Sequence, residues 1–301
     1  METCQRGLSL RPLRIVGIAL AGAIGWSRAA AVLHPEGAPP PRFEHVFVVV
    51  EENSDYSRVV GTGAMPYLDT LIRRYGLATQ YYANSHPSIG NYFMLTTGQL
   101  VTENSSYADT VTADNIVRRL VAAGNTWKSY AENLPSIGYT GDGPEPYARR
   151  HNPLSYLSDV IKNPAQRNNL VPFTQFATDL ANGALPNYSF IVPNLCHDAH
   201  GCTLAMADAW LRQNIGPLVR SRMFQRDGLL IITFDESLDD STHGGGRVAW
   251  VAVSAKAKPG YRSTTPYQHQ STLRLTMEAL GLTGFPGAAA TAPQMGEFFT
   301  P

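Results

Sequence analysis

The stretch HVFVVVEEN, residues 45–53, decides the fold. Its middle is a run of apolar, mostly β-branched residues that do not alternate with polar ones, which indicates a strand buried on both faces. The run ends abruptly in Glu51, Glu52 and Asn53. The stretch GLLIITFDES, residues 228–237, repeats this arrangement and ends in Asp235 and Glu236. In open α/β sheets, ligands bind outside the carboxyl ends of the strands. The two stretches therefore predict a parallel sheet that gathers polar side chains at one edge.

Helical periodicity alternates with such strands along the chain. It is found in MPYLDTLIRRYG, NIVRRLVAAG, ADAWLRQNIGPLV and STLRLTMEALGL, which cover residues 65–76, 115–124, 207–219 and 271–282. Gly76 and Gly124 are placed as helix ends. The alternation predicts an α/β fold, a three-layer sandwich around a mostly parallel sheet, formed by a single domain over residues 44–301.

Ser88 opens the run SIGNYFMLTTG, residues 88–98, which has the pattern of a buried helix with a short polar start. Free backbone N–H groups and the helix dipole favour an anion at such a start, so a phosphate could lie directly over the Ser88 hydroxyl. The alternative is that Ser88 only caps the helix.

Oxygen ligands from three parts of the chain indicate a divalent metal ion. Glu52, Asn53, Ser88, Asp235 and Glu236 are the candidate ligands, and oxygen donors of these types suit hard cations. A bound cation would lower the pKa of the serine hydroxyl and make it a nucleophile. The alternative is that these carboxylates are solvated strand ends.

These motifs resemble the phosphoesterase family of bacterial and fungal acid phosphatases and phospholipases C, within the alkaline phosphatase superfamily. The resemblance implies an alkaline-phosphatase-like fold, a metal held by Glu52, Asn53, Asp235 and Glu236, and transient phosphorylation of Ser88. It also implies that Asn91 binds phosphoryl oxygens. The chain departs from the family at Gly90, where relatives often carry Pro, and at Glu236, where some larger relatives have Asp.

Histidines form a second set of candidates. PNLCHDAHGC, residues 193–202, holds His197, Asp198 and His200 between two cysteines, and it also resembles the family. Imidazoles can bind phosphate oxygens or transfer a proton to the leaving group. We assign His200 and His243 to catalysis, and we assign phosphate binding to His86, His197 and His269.

The number of metal ions stays open at this point. Resemblance to the acid phosphatases favours one ion, with histidines acting on the phosphate. A second ion held by Asp198 and the histidines is the alternative, because paired metals can clamp both the entering and the leaving oxygen.

Cys196 and Cys202 flank this histidine segment. In an oxidising compartment they could form a disulfide that stiffens the loop, and we prefer this interpretation to a zinc site because the Cys/His spacing is unfamiliar for zinc.

The N-terminal residues predict export. Arg6, Arg11 and Arg14 precede an apolar stretch, residues 15–26, and an A-x-A site ends at Ala31, so residues 1–31 have the pattern of a secretory signal peptide. An uncleaved anchor is the alternative. Residues 32–43 are Pro-rich and are interpreted as a linker. We therefore expect a secreted or periplasmic protein without a stable membrane span.

Charge argues against nucleic acid as a partner. The 301 residues contain 24 Lys and Arg against 24 Asp and Glu, which gives a formal net charge of zero. The chain thus lacks the overall basic charge of a nucleic-acid-binding protein. The oligomeric state is left open.

Residues 139–169 show little periodicity. Arg149, Arg150 and His151 could meet an anionic substrate here, but a solvated connector is the preferred interpretation. Tyr81, Tyr82 and Tyr92 are expected to pack in the core.

Three hypotheses of function follow. The first is a secreted, metal-dependent phosphatase that hydrolyses phosphate esters through a phosphoserine at Ser88. The second is a phospholipase C with the same chemistry and a lipid leaving group. The third is a non-catalytic secreted module of the same fold, which the full metal set argues against. The sulfatase-like run from Ser85 to Ser88 is interpreted as accidental, because Ile89 replaces the expected Arg.

Overall fold

An eight-stranded sheet forms the centre of the computed structural model, which describes residues 1–2 and 37–300. The chain divides into the units Met1–His34 and Pro35–Pro301, and the sheet belongs to the second. The strands are β1 His45–Glu51, β2 Gly76–Ala78, β3 Tyr81–Tyr82, β4 Trp127–Ala131, β5 Leu170–Pro172, β6 Tyr188–Val192, β7 Gly228–Phe234, β8 Trp250–Val253, β9 Arg262–Ser263 and β10 Tyr267–Gln268.

The sheet is mostly parallel, as predicted. Its strand order is β5-β4-β6-β1-β7-β8-β2-β9, and β8 alone runs antiparallel to its neighbours within it. Strands β3 and β10 form a separate parallel pair. Strand β1 lies between β6 and β7, and its register sets Glu51 beside Phe234. The residues that follow these two strand ends therefore leave the sheet at the same edge.

Eleven α-helices are found in the described part of the chain. They are α1 Tyr56–Val59, α2 Pro66–Arg74, α3 Ser88–Thr97, α4 Ile116–Ala122, α5 Ser158–Ile161, α6 Pro164–Arg167, α7 Thr174–Asn182, α8 Leu204–Trp210, α9 Gly216–Arg220, α10 Arg222–Asp227 and α11 His269–Ala279. A π-helical turn, Leu211–Ile215, joins α8 to α9. Short 3₁₀ helices cover Arg149–His151, Pro153–Tyr156, Gly287–Ala290 and Gly296–Phe298.

Aromatic side chains show that helices pack on both faces of the sheet. Phe47 of β1 contacts Phe176 of α7 and Phe224 of α10. Phe190 of β6 is in register with the next residue of β1, so it points to the opposite face, where it contacts Tyr92 of α3. The predicted three-layer α/β arrangement is confirmed.

The four helical stretches are helices in the structure, and both predicted ends lie just after a helix. Gly124 follows α4 with a φ of +75°, as expected for a helix stop. Gly76 follows the C-cap residue Tyr75 of α2, but it has no left-handed conformation and is also the first residue of β2. A glycine after a helix does not by itself distinguish a cap from the first residue of a buried strand.

The predicted signal peptide, residues 1–31, lies almost entirely outside the described residues, as do residues 32–36 of the predicted linker. Residues 37–43 have no helix or strand, yet they pack against the domain: Phe43 is buried, and its N–H donates to Ala279 O. Within the described residues, helices are too short or too polar to cross a bilayer.

Candidate active site

Ser88 is the first residue of α3 and is 5% exposed. The helix is buried along its whole length and ends at Gly98, whose φ of +67° gives the left-handed cap that glycine favours. Because the first amides of a helix have no partner within it, the hydroxyl of Ser88 stands beside free N–H donors. This placement agrees with the sequence pattern.

Asn91 fixes the loop that leads to Ser88. Its Oδ1 accepts hydrogen bonds from the N–H groups of Asn84 (2.9 Å) and Ser85 (3.1 Å), and its Nδ2 donates to Ser85 O at 2.7 Å. The side chain is fully buried. These contacts support a role in positioning the approach to Ser88, and they lend no support to the predicted contact between Asn91 and phosphate.

Gly90 is explained by the same loop. A Cβ atom at this position would lie 2.8 Å from Ser85 Oγ. The side chain of Ser85 therefore occupies the space that a proline ring would need, which gives a physical reason for the departure from the family pattern.

A carboxylate cluster, defined as Glu52, Asp235 and Glu236, surrounds the serine. Ser88 Oγ lies 3.1 Å from Glu52 Oε2 and 3.1 Å from Glu236 Oε1. Asp235 Oδ1 accepts a hydrogen bond from Asn53 N at 3.1 Å, whereas its Oδ2 is buried without a partner among the described residues. A serine hydroxyl has one hydrogen, so it cannot donate to both glutamates at once.

The carboxylate cluster has more negative charge than the surrounding protein groups neutralise. Burial, with the charges of Glu52 and Glu236, raises the pKa of Asp235 well above its usual range. Burial and the charge of Glu52 also raise the pKa of Glu236, although His86 opposes the rise. Without a cation, these two carboxyls therefore tend to take up protons.

His86 holds Glu236 in place. Its Nδ1 lies 2.6 Å from Glu236 Oε2, and its Nε2 lies 3.1 Å from Asp240 O. A carbonyl oxygen can only accept, so Nε2 carries the proton, and the short contact at Nδ1 then needs a second proton shared with Glu236. Both ring nitrogens of His86 are thus engaged with protein oxygens, which lends no support to its predicted contact with phosphate.

A histidine cluster, defined as His151, Asp198 and His200, lies on the other side of Glu52. His151 Nδ1 is 3.0 Å from Asp198 Oδ2, and His151 Nε2 is 3.3 Å from Glu52 Oε1. His200 Nδ1 is 3.1 Å from Glu52 Oε2. The ligand atoms of Glu52, His151 and His200 lie within 4.8 Å of one another, so this group could bind a metal ion.

The histidine cluster sets the charge of Glu52. Burial acts to raise the pKa of this carboxyl, yet the pKa is lowered to about 2 because His151 is close and His200 and Tyr92 form hydrogen bonds to it. In return, the hydrogen bond to Glu52 raises the pKa of His200, while burial and the positive charge of Arg150 oppose the rise. Glu52 thus stays an anion, and His200 keeps its proton to higher pH.

Tyr92 is predicted to pack in the core, and it also contacts two residues of the site. Its hydroxyl donates to Glu52 Oε1 at 2.7 Å, and its ring stacks on the His151 ring at a centroid distance of 5.1 Å. Tyr92 lies one helical turn after Ser88, so α3 delivers the serine and this support for Glu52 on one face.

Among the described residues, the side chains of His197, His243 and His269 do not contact Ser88 or the side chains of the carboxylate cluster. The one related contact joins His269 to the backbone oxygen of Asp235. His197 Nδ1 contacts Glu132 at 2.9 Å, and the exposed His243 packs on the Tyr82 ring. His269 is buried between Tyr81 OH and Asp235 O, and burial lowers its pKa to about 4. The geometry therefore lends no support to phosphate binding by His197 or His269, or to catalysis by His243.

The disulfide between Cys196 and Cys202 is present, as expected. It closes the loop that carries Asp198 and His200 after β6. The N–H of His200 also donates to Asp198 Oδ1 at 2.8 Å, so the loop has both a covalent and a hydrogen-bonded constraint.

His151 is the site residue that the sequence interpretation missed. The segment 139–169 is interpreted from its sequence as a solvated connector, but His151 is 1% exposed and Arg149 is buried as well. No spacing ties His151 to Glu52, which lies 99 positions earlier in the chain. The only signal is its place beside two arginines in an irregular segment.

Comparison with solved structures agrees with the fold described above. The chain is similar in fold to an alkaline phosphatase superfamily protein from Vibrio parahaemolyticus, with a TM-score of 0.53, 11% identity and coverage of 84% of this chain and 71% of that one. It is also similar to a phosphonate monoester hydrolase from Silicibacter pomeroyi, with a TM-score of 0.57, 11% identity and coverage of 85% and 76%.

The chain belongs to the Phosphoesterase family, whose profile matches residues 62–283. It is 29% identical to a phosphatidylinositol-3-phosphatase of Mycobacterium tuberculosis over 94% of this chain and 92% of that protein. It is 31% identical to a probable acid phosphatase of Kluyveromyces lactis, over 81% of this chain and 59% of that protein, and 31% identical to an acid phosphatase of Aspergillus fumigatus, over 80% and 55%. The protein is therefore a hydrolase acting on phosphoric esters. The matched region spans somewhat more than half of each fungal relative.

Proposed function

We propose that this chain is a metal-dependent phosphomonoesterase that works through a phosphoserine at Ser88. The observation that carries the proposal is the position of Ser88 Oγ, at the start of a buried helix and 3.1 Å from each of two carboxylates. A serine that only capped its helix would precede the helix and bond to the amides of its first turn. Ser88 instead follows the cap residue Pro87, and its hydroxyl contacts Glu52 and Glu236.

The donor set fits a divalent cation. Asp235 Oδ2 is buried without a hydrogen-bond partner among the described residues. His151 Nε2 is buried 3.3 Å from Glu52 Oε1 without forming a hydrogen bond, and Ser88 lies between two carboxylates with one proton to share. Glu52, Asn53, Ser88, Asp235 and Glu236 would hold one cation, and His151 would add a nitrogen ligand beside Glu52, while His200 keeps its proton. When bound, the cation would neutralise the carboxylates and lower the pKa of the serine hydroxyl.

The residues of the chain then have distinct parts. Ser88 Oγ gives up its proton to solvent and attacks phosphorus as the alkoxide, which the final hydrolysis regenerates, while the free amides at the start of α3 stabilise charge on the phosphoryl oxygens. His200, whose raised pKa keeps it protonated and which is 35% exposed on its side chain, donates the proton to the leaving alkoxide. Water then hydrolyses the phosphoserine, with His200 accepting a proton in return. Asn91 and His86 position the loop and Glu236.

The substrate and location belong to the proposal as well. We favour monoesters because the relatives are named as phosphatases, and a phosphatidylinositol phosphate is included because of the name of the mycobacterial relative. A phospholipase C that acts on diesters is the alternative. The N-terminal pattern supports export to the periplasm or the exterior.

The proposal is tested with purified protein reconstituted with divalent metal ions. Hydrolysis of chromogenic monoesters and diesters is measured for the parent, Ser88→Ala and the chelated parent, with Ser85→Ala as the matched control. Ser85 lies three residues earlier, is buried, and its hydroxyl has no partner among the described residues. Brief reaction with a ³²P-labelled monoester, followed by acid quenching, traps any phosphoserine.

We expect Ser88→Ala and the chelated enzyme to lose at least about a thousandfold in kcat, while Ser85→Ala retains turnover. Label should appear on the parent and not on Ser88→Ala. Turnover by Ser88→Ala within about tenfold of the parent would exclude the serine as nucleophile. A preference for diesters would support the phospholipase C alternative.

A further inference from the structure

A triglycine segment, defined as Gly244–Gly246, lies between two loops of the active site and bonds to both through its backbone. Gly245 N donates to Ala83 O at 3.2 Å, and Ala83 N donates to Gly246 O at 2.9 Å. On its other side, Gly245 O accepts a hydrogen bond from Ser237 N at 2.9 Å. One residue, Gly245, therefore joins the two loops directly.

Each of these loops leads to a group of the active site. Ser237 directly follows Glu236, whose Oε1 lies 3.1 Å from Ser88 Oγ. Residues 83–85 come just before Ser88, and Asn91 fixes them to the helix that Ser88 begins. The thickness of the triglycine segment between the loops therefore helps to set the separation of Ser88 from Glu236.

The loop before Ser88 approaches the triglycine segment too closely for any side chain to fit. A Cβ atom on Gly245 would lie 2.5 Å from Ser85 O and 2.6 Å from Ala83 Cβ, well inside van der Waals contact. A Cβ atom on Gly244 would overlap Asn84 O. Gly245 does not have a positive φ, so the close approach and not the backbone conformation requires glycine there.

Gln268 adds a side-chain bridge at the same place. Its Nε2 lies 3.2 Å from Ala83 O and 3.1 Å from His243 O, and an amide NH₂ group has two hydrogens, so it can donate to both. Gln268 belongs to β10 and is in register with Tyr82 of β3, the residue before Ala83. The bridge therefore ties the start of the triglycine segment to the loop before Ser88.

We propose that Gly245 and Gln268 are positioning residues for phosphoryl transfer, which hold the Ser88 hydroxyl beside Glu236. Neither residue bonds to the serine or to the carboxylate among the described residues, and both act through the backbone of the two loops. A misplacement of about 1 Å can cost a reaction about a hundredfold in rate. This inference rests on the proposed function, in which Ser88 is the nucleophile and Glu236 a metal ligand.

The test disturbs this contact in two independent ways. Gly245→Ala inserts a methyl group that pushes the loop before Ser88 away, whereas Gln268→Met removes the bridging donor and keeps a side chain of similar length. Ala83→Gly, added to Gly245→Ala, removes one of the clashing atoms and serves as a rescue. Gly228→Ala is the matched control, because its Cβ would clash with Phe224 at the amino end of β7, the opposite edge of the sheet.

Three quantities are measured for the parent and each variant after reconstitution with a divalent metal ion. They are the melting temperature, the metal concentration that gives half-maximal activity, and the rate at which a ³²P-labelled monoester phosphorylates the serine after rapid mixing and acid quenching. The last two report on the site, whereas the melting temperature reports on the whole fold.

We expect Gly245→Ala to slow phosphorylation by about a hundredfold and Gln268→Met to slow it by about three- to tenfold. Both variants should need more metal for half-maximal activity. Gly228→Ala should melt lower than the parent, as Gly245→Ala does, yet keep the phosphorylation rate and metal requirement of the parent. Ala83→Gly should restore part of the rate that Gly245→Ala loses.

Two results would overturn the inference. Phosphorylation at the parent rate in Gln268→Met would remove the bridge from the positioning of Ser88, and this variant gives an answer even if Gly245→Ala does not fold. An equal loss of rate in Gly228→Ala and Gly245→Ala would reduce the effect to general destabilisation. Failure of the proposed function is a separate outcome, in which the folded, metal-loaded parent forms no phosphoserine.

Discussion

The carboxylate cluster and the histidine cluster meet at Glu52, but different kinds of segment deliver them. Asp235 and Glu236 follow β7, and Glu52 follows β1, so adjacent parallel strands bring the carboxylates to one edge. His151 comes from a 3₁₀ helix in an irregular segment, and Asp198 and His200 come from a disulfide-closed loop after β6. One cluster is set by sheet register, and the other depends on how loops pack.

This difference assigns the two clusters different work. The carboxylate cluster contacts the serine directly and carries uncompensated negative charge, as the raised pKa values of Asp235 and Glu236 show. The histidine cluster contacts Glu52 and lowers its pKa to about 2. We infer that the carboxylates hold the reacting centre, while the histidines tune Glu52 and move protons.

Asp235→Asn should cause the largest loss, about a thousandfold in kcat/KM, because it removes a proposed metal ligand and a charge next to Ser88. The same change should raise the melting temperature of the metal-free protein at pH 7, since an ionised Asp235 is destabilising in its buried place. Steady-state kinetics and thermal unfolding with chelator measure both effects. If the metal-free variant melted lower than the parent, the charge imbalance inferred for this cluster would be wrong.

His151→Gln should cost about 10- to 100-fold in metal affinity or activity, because His151 supports Glu52 from the histidine cluster. His197→Gln is the matched control, since His197 contacts Glu132 instead. Metal titration followed by kinetics separates affinity from turnover. An equal loss in His197→Gln would show that support for Glu52 is not limited to the histidine cluster.

The pH profile should identify His200 as the proton donor. Its pKa is raised by the hydrogen bond to Glu52, so the active, protonated form persists above pH 6.5 and is lost as the pH rises through the raised value. His200→Gln should therefore flatten the basic limb of the kcat profile. Its activity should differ from that of the parent most at acidic pH and least at basic pH. A basic limb unchanged in the variant would assign the proton to another group.

Glu51→Gln should produce the smallest effect on activity and a pH-dependent effect on stability. Glu51 is the sequence neighbour of Glu52, but both of its carboxyl oxygens are buried without partners among the described residues. Burial, with the charges of Asp198 and Asp208, raises its pKa well above the usual range.

A carboxyl whose pKa is raised in the folded protein ionises first in the unfolded chain as the pH rises. The contribution of Glu51 to the free energy of unfolding is therefore largest below about pH 4.5 and declines as the pH rises toward the pKa of the folded state. Glu51→Gln removes this decline. The free energy of unfolding of the variant should exceed that of the parent by more at pH 8 than at pH 5. Denaturant unfolding at both pH values measures this difference. A gain that was equal at the two pH values would contradict the assignment.

The elements that the sequence predicts correctly are those whose pattern lies within the element itself. The apolar runs before Glu52 and Asp235 each need only the β-sheet period and an abrupt polar end. The start of α3 at Ser88 is visible from its own pattern. By contrast, the pattern at Gly76 predicts the end of α2 but not that β2 begins at the same residue, because pairing with the neighbouring strand β8 decides where β2 begins.

The histidines show where local patterns stop being informative. His86, His197, His200, His243 and His269 all lie in or near promising motifs, yet only His86 and His200 contact side chains of the carboxylate cluster. His151 has no motif and lies in the site. An imidazole looks the same in sequence whether it faces a carboxylate, an aromatic ring or solvent.

The sequence by itself determined the sheet, the helix that begins at Ser88 and the carboxylates that follow the central strands. These follow from periodicity and from the rule that parallel strands end at a common edge. Only the tertiary structure decided that His151 and Tyr92 support Glu52 and that Asn91 holds the loop before Ser88. Such contacts join residues far apart in the chain, and their energies depend on burial and distance, which no short stretch of sequence encodes.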